Sequence, residues 1–289
     1  MYAPSFDYHR AASVAEAQQL LAANPGAKLL AGGHSLLPML KLRLAAPTAL
    51  IDIGRISALQ GITAAAGGLR IGAMTTHHDV ATSALVAAHC PIVSDAAARI
   101  GDMTVRNRGT IGGSVAHADP AADMPTVLTA VGARMEIAGA GGQIRTVAAA
   151  DFFLGMMATA VGEGEILTAI VVPELGAGSG GAYAKFAHPA SRYAVVGAAA
   201  VLTMAAGVCR RAIIIVGGAT ATPARLPSVE AALTGATLSP EVVAAASARA
   251  AGDITGDLMG DLFASAEYRR HMAGIYVARA VTAAAARAR

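Results

Sequence analysis

Hydrophobic and polar positions change period several times along this chain, and each change marks an expected element. Apolar residues recur at helical spacing from Ser13 to Asn24, and Lys28 to Ala31 forms a short apolar run before a glycine turn. A helix over Leu36 to Leu44 and a strand over Ala49 to Ile53 complete a compact α/β unit. A hairpin follows, Gly61 to Thr63 and Leu69 to Ala73 joined by Gly67-Gly68, then helices over about Thr76 to His89 and Pro91 to Ile100. A second glycine turn, Gly109 to Gly113, leads towards a helix from about Pro120 to Val131. Another hairpin, Arg134 to Ala138 with Gln143 to Val147, and a strand at Ile166 to Val172 close the first large domain.

Gly176 to Gly181 is the expected boundary, because it is rich in Gly and Ser and separates two strand-like runs. It also spells G-x-G-x-x-G. A dinucleotide fingerprint needs a helix directly after the glycines and an acidic residue about 20 positions on. Pro189 interrupts the following segment and no Asp or Glu appears until Glu230, so a nicotinamide Rossmann site is rejected. Beyond the boundary, runs at Ala182 to Ala187, Ala194 to Met204 and Val208 to Gly217 predict an antiparallel sheet. Helices are expected over Ser228 to Thr234, Pro240 to Ala251 and Ala266 to Arg287, the last with Met272, Ile275 and Tyr276 on one apolar face.

Composition refines this picture. The 289 residues suit two domains; a quarter of them are Ala, which favours helix almost everywhere and makes apolar content alone a poor guide. The net charge of +3 comes from scattered basic residues without interleaved aromatics, which argues against a nucleic-acid partner. Cys90 and Cys209 lie far apart, so this chain holds neither a disulfide framework nor a four-thiolate iron-sulfur or zinc site, and the cytosol is the natural compartment. The first ten residues have no apolar run of signal-peptide type, and the longest apolar stretch, Ala194 to Val208, is too short and interrupted for a membrane span.

Two glycine turns carry the candidate chemistry. Ala31-Gly32-Gly33-His34-Ser35 leaves an apolar strand and opens a helix; Thr110-Ile111-Gly112-Gly113-Ser114 has the same form. Glycines let a backbone approach a ligand closely, and free amides at a helix start attract phosphate, although an ordinary tight turn has the same residues. No G-x-x-x-x-G-K-[ST] string occurs, so a diphosphate-bearing cofactor held by backbone amides is favoured over a nucleoside triphosphate. His117, Asp119 and Asp123, and likewise His77-His78-Asp79, look like metal ligands. Caps explain them better: Asp119 before Pro120 is a natural helix N-cap, so no metal is expected.

Together these strings resemble a known family. L-A-G-G-H-S-L-L-P at 30 to 38, R-x-R-G-T-I-G-G-S at 106 to 114 and the following A-D-P-A-A-D-M-P are similar to the two FAD-binding loops in flavoprotein subunits of molybdenum hydroxylases, specifically the medium subunit of aerobic carbon monoxide dehydrogenase. S-F-D-Y-H-R, Y-A-K-F and S-R-Y-A extend the likeness over the whole chain. The resemblance implies an α+β fold: an FAD-binding domain of the vanillyl-alcohol-oxidase (PCMH) type, residues 1–176, made of two α/β subdomains at about 1–56 and 57–176. A small domain at 177–289 would add a three-stranded antiparallel sheet and helices. It further implies that Ala31, Gly32, Gly33, His34, Ser35 and Leu36, with Thr110, Ile111, Gly112, Gly113 and Ser114, line the FAD diphosphate. Asp123 would bind the ribose end, Ile100 and Leu167 would pack around the cofactor, Lys185 would lie close to the flavin, and Tyr193 would cover one ring face. Ser114 departs from the family, where many relatives have Asn.

Function follows from the resemblance as an expectation. The chain itself shows no credible nucleophile, acid and base constellation, so the flavin is the reactive group and no catalytic side chain is expected. An iron-sulfur small subunit would pass electrons in, and a molybdenum-cofactor large subunit would oxidise substrate. An external acceptor such as a quinone would take electrons out. A dimer of heterotrimers, cytoplasmic or held at the inner face of the membrane through the complex, is implied. The rivals are a self-sufficient FAD oxidase of the same fold, an FAD subunit for a purine or other heterocycle, and a scaffold whose glycine turns are merely structural.

Overall fold

A computed structural model describes residues 2–288. The N-terminal unit is a parallel sheet ordered β1-β3-β2, formed by β1 (Asp7–Arg10), β2 (Lys28–Leu30) and β3 (Ala49–Asp52). It carries α1 (Val14–Ala23) and α2 (Leu36–Lys41). Ser13 caps α1 by accepting the Glu16 amide, while Glu16 reaches back to the Ala12 amide, so orphan N–H groups are met on both sides of the cap. The strand β1 is unforeseen: Asp7, Tyr8, His9 and Arg10 are largely exposed and show no apolar alternation, and pairing with β3 alone makes them a strand.

A five-stranded antiparallel sheet follows, ordered β4-β5-β10-β6-β7. Its hairpins are β4 (Ile62–Ala65) with β5 (Gly68–Gly72) and β6 (Arg134–Ala138) with β7 (Ile144–Ala148). Between them run α3 (His77–Thr82), α4 (Ala84–His89), α5 (Pro91–Ala98), α6 (Met103–Arg106), α7 (Ile111–His117) and α8 (Asp123–Ala130). A short helix, α9 (Ala149–Phe152), and a small hairpin, β8 (Phe153–Gly155) with β9 (Ala158–Thr159), precede the central strand β10 (Ile166–Pro173). The single helix expected over Thr76 to His89 is two, because Ser83 turns extended and its hydroxyl caps α4 at Val86. The second glycine turn is likewise the first turn of α7. Asp119 does not cap α8: Ala122 occupies that position and Asp119 accepts the Ala121 amide instead.

The third sheet is ordered β11-β12-β13-β14, from β11 (Ser179–Ala187), β12 (Ala194–Ala205), β13 (Val208–Gly217) and a two-residue edge, β14 (Ala224–Arg225), which adds a fourth strand to the three expected. The glycines at 176–181 run into strand β11, the geometry opposite to a dinucleotide fold. Helices α10 (Pro227–Leu233), α11 (Pro240–Ser247), α12 (Ala250–Asp253) and α13 (Ala266–Arg287) complete the chain. The helix expected over Pro240 to Ala251 breaks where three-residue hydrogen bonds, Arg249 to Ala246 and Gly252 to Arg249, tighten and re-aim the backbone.

One core joins Leu69, Ile71 and Ile170 of the five-stranded sheet to Val93 and Leu128 of α5 and α8, and through them to Ala199 and Ile215 of the third sheet. The opposite face of that sheet meets Ala273, Val277, Ala280 and Ala284 of α13. Both faces of β12 are therefore covered, which is why Ala194 to Val201 carries no polar side chain. Of the α13 face expected from spacing, Tyr276 is buried and Met272 packs at its edge, but Ile275 points outward.

Candidate functional site

The two glycine loops meet backbone to backbone. A Cβ on Gly32 would land inside the Arg108 carbonyl, and one on Gly112 would collide with Ala73; these glycines permit close approach of one chain segment to another. Gly33 has φ of 76°, the left-handed region. The first loop is open to a ligand: among the described residues no group accepts a hydrogen bond from the amides of Gly32, Gly33, His34 or Ser35, and the Ser35 hydroxyl makes no cap on α2. His34 is exposed, its Nδ1 3.0 Å from the Gly32 carbonyl.

In the second loop the backbone amides have partners within the protein. Ile111 donates to Thr75 O, Gly112 to Ala73 O, Gly113 to Thr110 Oγ1 and Ser114 to Thr110 O, so its amides are already committed to the scaffold. Ile111 and Gly112 are buried, and Thr110 faces the cleft. This loop is a shelf on which the first loop rests. Antiparallel pairing of Thr76 with Thr110 ties that shelf to the start of α3.

A cleft of about 870 Å³ opens beside the loops, lined by Ala31, Gly32, Gly33 and Thr110 together with Thr76, Asp79, Asn107, Arg55 and Arg108. Arg55 and Arg108 make no ion pair with a described residue, which leaves two cations for an anionic ligand. Arg10 at the far wall is engaged: Asp52 accepts from Tyr8 Oη at 2.5 Å and lies 3.5 Å from Arg10 Nε. Burial opposes ionisation of Asp52, but the Tyr8 hydroxyl, the Gly54 amide and Arg10 together hold its carboxyl below the usual range. Apart from the R-x-R string before the second loop, nothing in the sequence marks these wall residues, because they come from segments up to a hundred positions apart.

Lys185, Asp123 and Tyr183 form a second group. Lys185 Nζ donates to Asp123 Oδ2 at 2.8 Å and to the carbonyl of Arg99 at 3.2 Å, with the two side chains only 3% and 5% exposed. Tyr183 Oη donates to Asp123 Oδ1 at 2.6 Å. Burial raises the Asp123 carboxyl while Lys185 and Tyr183 pull it back. Each oxygen thus has one partner inside the protein, and Asp123 fixes Lys185 in place. Leu167 lies in the main core at a bulge of β10, and Ile100 packs at the edge of that core.

Tyr193 lies between the two groups. It is 38% exposed. Its phenol is raised, first by burial and then by the charge of Asp119, with the nearby Ser35 of the first loop opposing the shift. Among the described residues no cluster of His, Cys, Asp or Glu could hold a metal ion; His77 is instead buried at the start of α3.

Residues 4–175 match the family described as the FAD binding domain in molybdopterin dehydrogenase, and residues 181–284 match the CO dehydrogenase flavoprotein C-terminal domain. The chain belongs to this family. It is 42% identical to the carbon monoxide dehydrogenase medium chain of Hydrogenophaga pseudoflava over 99% of both chains. A solved structure of that organism's carbon monoxide dehydrogenase lacking the Mo-pyranopterin moiety matches with a TM-score of 0.95 and 43% identity, covering 100% of each chain. Quinoline 2-oxidoreductase from Pseudomonas putida 86 matches with a TM-score of 0.93, 35% identity and 99% coverage of each chain. As a member of the molybdopterin dehydrogenase FAD family, the chain is the FAD-binding subunit of an oxidoreductase complex, and its mixed α/β architecture is that of the family. FAD fits the residues present: open amides and unpaired arginines beside a cleft meet the needs of a diphosphate. No described helix is long and apolar enough to cross a membrane.

Proposed function

We propose that this chain is the FAD-carrying medium subunit of a molybdenum hydroxylase of the carbon monoxide dehydrogenase type. It receives electrons from an iron-sulfur small subunit and passes them to an external acceptor such as a quinone, while a molybdenum-cofactor large subunit oxidises the substrate. The complex is a dimer of such heterotrimers in the cytoplasm. The observation that carries this reading is correspondence with a carbon monoxide dehydrogenase medium chain from end to end, glycine loops and C-terminal sheet included. The likeness to quinoline 2-oxidoreductase favours a heterocycle as the second reading.

Bound FAD supplies the ability to accept electrons singly and release them in pairs. The protein holds it. The Gly32 to Ser35 amides and the Ser35 hydroxyl bind the diphosphate, with Arg55 and Arg108 balancing its charge. The cleft wall of Thr76, Asp79 and Asn107 takes the nucleoside end, and Lys185 and Tyr193 flank the ring. The divisions at about 56 and 176 set these parts around the cofactor: the N-terminal unit supplies the open loop, the middle unit its shelf, and the C-terminal unit the ring-side residues.

The purified chain is expected to be yellow and to release FAD on denaturation. Gly33→Ala forces a side chain into the left-handed region beside Leu37 and disturbs the open amides; FAD affinity should fall roughly tenfold, in line with about 1–3 kcal/mol of backbone strain. Gly112→Val is expected to unfold the protein outright. Co-expressed with its large and small chains the complex should oxidise carbon monoxide; the medium chain alone should not. Turnover by the isolated chain, or full FAD affinity in Gly33→Ala, would overturn the reading, and turnover of quinoline but not carbon monoxide by the complex would select the second one.

A further inference from the structure

The turn joining β11 to β12 is built around one imidazole. His188 Nδ1 accepts from the Ala190 amide at 3.2 Å and from the Ser191 amide at 3.3 Å. Its own amide donates to the Tyr193 carbonyl and its carbonyl accepts from Arg192, both at 2.8 Å, so backbone and side chain of one residue close the whole loop. Within that loop Arg192 takes φ of 60°, a conformation that a non-glycine residue keeps only when its surroundings impose it. The Tyr193 amide then donates to Ser191 Oγ at 3.3 Å. From outside, the His188 ring packs on Phe263 with centroids 4.4 Å apart, and Asp261, two residues before Phe263, lies nearby. Phe263 is set in turn by Asp261, which accepts its amide.

The far end of the turn is pinned to the FAD domain. Ala194 donates its amide to the Ala121 carbonyl at 3.0 Å, and Asp119 Oδ1 accepts from Ala121, so Tyr193 emerges directly over the segment that follows α7. There its phenol lies near Ser35 and within the field of the Asp119 carboxyl. The strand hairpin brings Tyr193 to the correct neighbourhood, but its aim depends on Arg192 staying left-handed. Two amides held by a single lone pair do that.

We infer that His188 is a positioning residue: its Nδ1 locks the β11–β12 turn so that Tyr193 stays seated over the first glycine loop and governs access to the bound flavin. This rests on the FAD reading above. The acceptor nitrogen must be unprotonated, so the ring carries its hydrogen on Nε2. Asn at this position can offer Oδ1 to an amide two residues on, as in an Asx turn, whereas Ala offers nothing.

The test uses the FAD-loaded chain with His188→Ala, His188→Asn, Tyr193→Ala and the double variant His188→Ala/Tyr193→Ala, measured for FAD content, visible flavin spectrum and rate of reoxidation by dioxygen. His188→Ala is expected to retain FAD, to move spectrum and reoxidation in the direction of Tyr193→Ala by about fivefold, the effect of losing one net hydrogen bond, and to do so less in His188→Asn. In the double variant no further change beyond Tyr193→Ala is expected, because His188 acts only through Tyr193. In the protein without FAD, amide exchange at Ala190 and Ser191 should accelerate in His188→Ala. Should that variant fail to fold, Ser191→Ala, which removes the acceptor of the Tyr193 amide on an exposed residue, must show the same spectral shift. A fall in thermal midpoint with an unaltered flavin, or effects that add to those of Tyr193→Ala, overturns the inference and leaves the FAD reading standing; absence of FAD from the wild-type protein overturns the FAD reading itself.

Discussion

His77 stands at the first position of α3, 4% exposed, and its Nδ1 finds no hydrogen-bond partner among the described residues. Burial, then the nearby Arg106 and His34, hold the imidazole down to about 4 from 6.5. Between those values the unfolded chain binds a proton that the folded one refuses, so stability falls as the pH drops through 6.5 towards 4. The full effect, once pH lies below both values, is about 3 kcal/mol. Thermal unfolding at pH 7 and pH 4.5 should show this loss in the wild type and a smaller one in His77→Gln; equal losses would place the acid sensitivity elsewhere. His-His-Asp reads in the sequence as a metal pattern because nothing local tells that the first His is buried. The same limit applies to Asp123: its partners Tyr183 and Lys185 lie 60 and 62 positions away, so spacing alone could not reveal that each oxygen has an internal donor. The glycines were more legible. Close approach requires Gly wherever it happens, although the thing approached at Gly32 and Gly112 is another stretch of backbone.

Among elements, α13 matches its expected span because a capping Ser265, an Ala-rich interior and one continuous buried stripe all agree. Disagreement between levels marks the failures: β1 is polar and depends on a partner strand, and the single helix expected over Thr76 to His89 contains a Ser that prefers to cap. Charge on α13 hides its most demanding residue. Arg269, 6% exposed, donates to the carbonyls of Val195 and Gly218 at 2.9 and 2.8 Å and meets Asp261 at 2.5 Å, fastening the helix to the ends of β12 and β13. Arg269→Met would strand those carbonyls, a loss of about 3 kcal/mol. Arg269→Lys should recover little, since an ammonium cannot reproduce the planar fork. Urea unfolding of both variants checks this, and a midpoint near wild type in the lysine form would show that charge alone suffices.

At the scale of the molecule, the five-stranded and third sheets share α5 and α8 in one core, and the first sheet packs through Ile51 and Ile53 on Met74 and Ile166 of the middle unit, so the glycine loops sit on packed elements rather than on a floppy mouth. Loop one rests on the Arg108–Gly109 peptide, and loop two is anchored to Ala73 and Thr75, whether or not anything lies against them. Little chain has to be ordered when the ligand arrives. Adding FAD to apoprotein should therefore leave the far-ultraviolet dichroism unchanged while raising the unfolding midpoint, by about 4 kcal/mol of stability at a thousandfold excess over the dissociation constant. A large gain of helix signal on loading would contradict this. Biogenesis then acquires a freedom that cofactor-templated proteins lack. The newly made chain can reach its native shape before any FAD is available, wait in that state, and be filled either alone or after its companions have assembled around it.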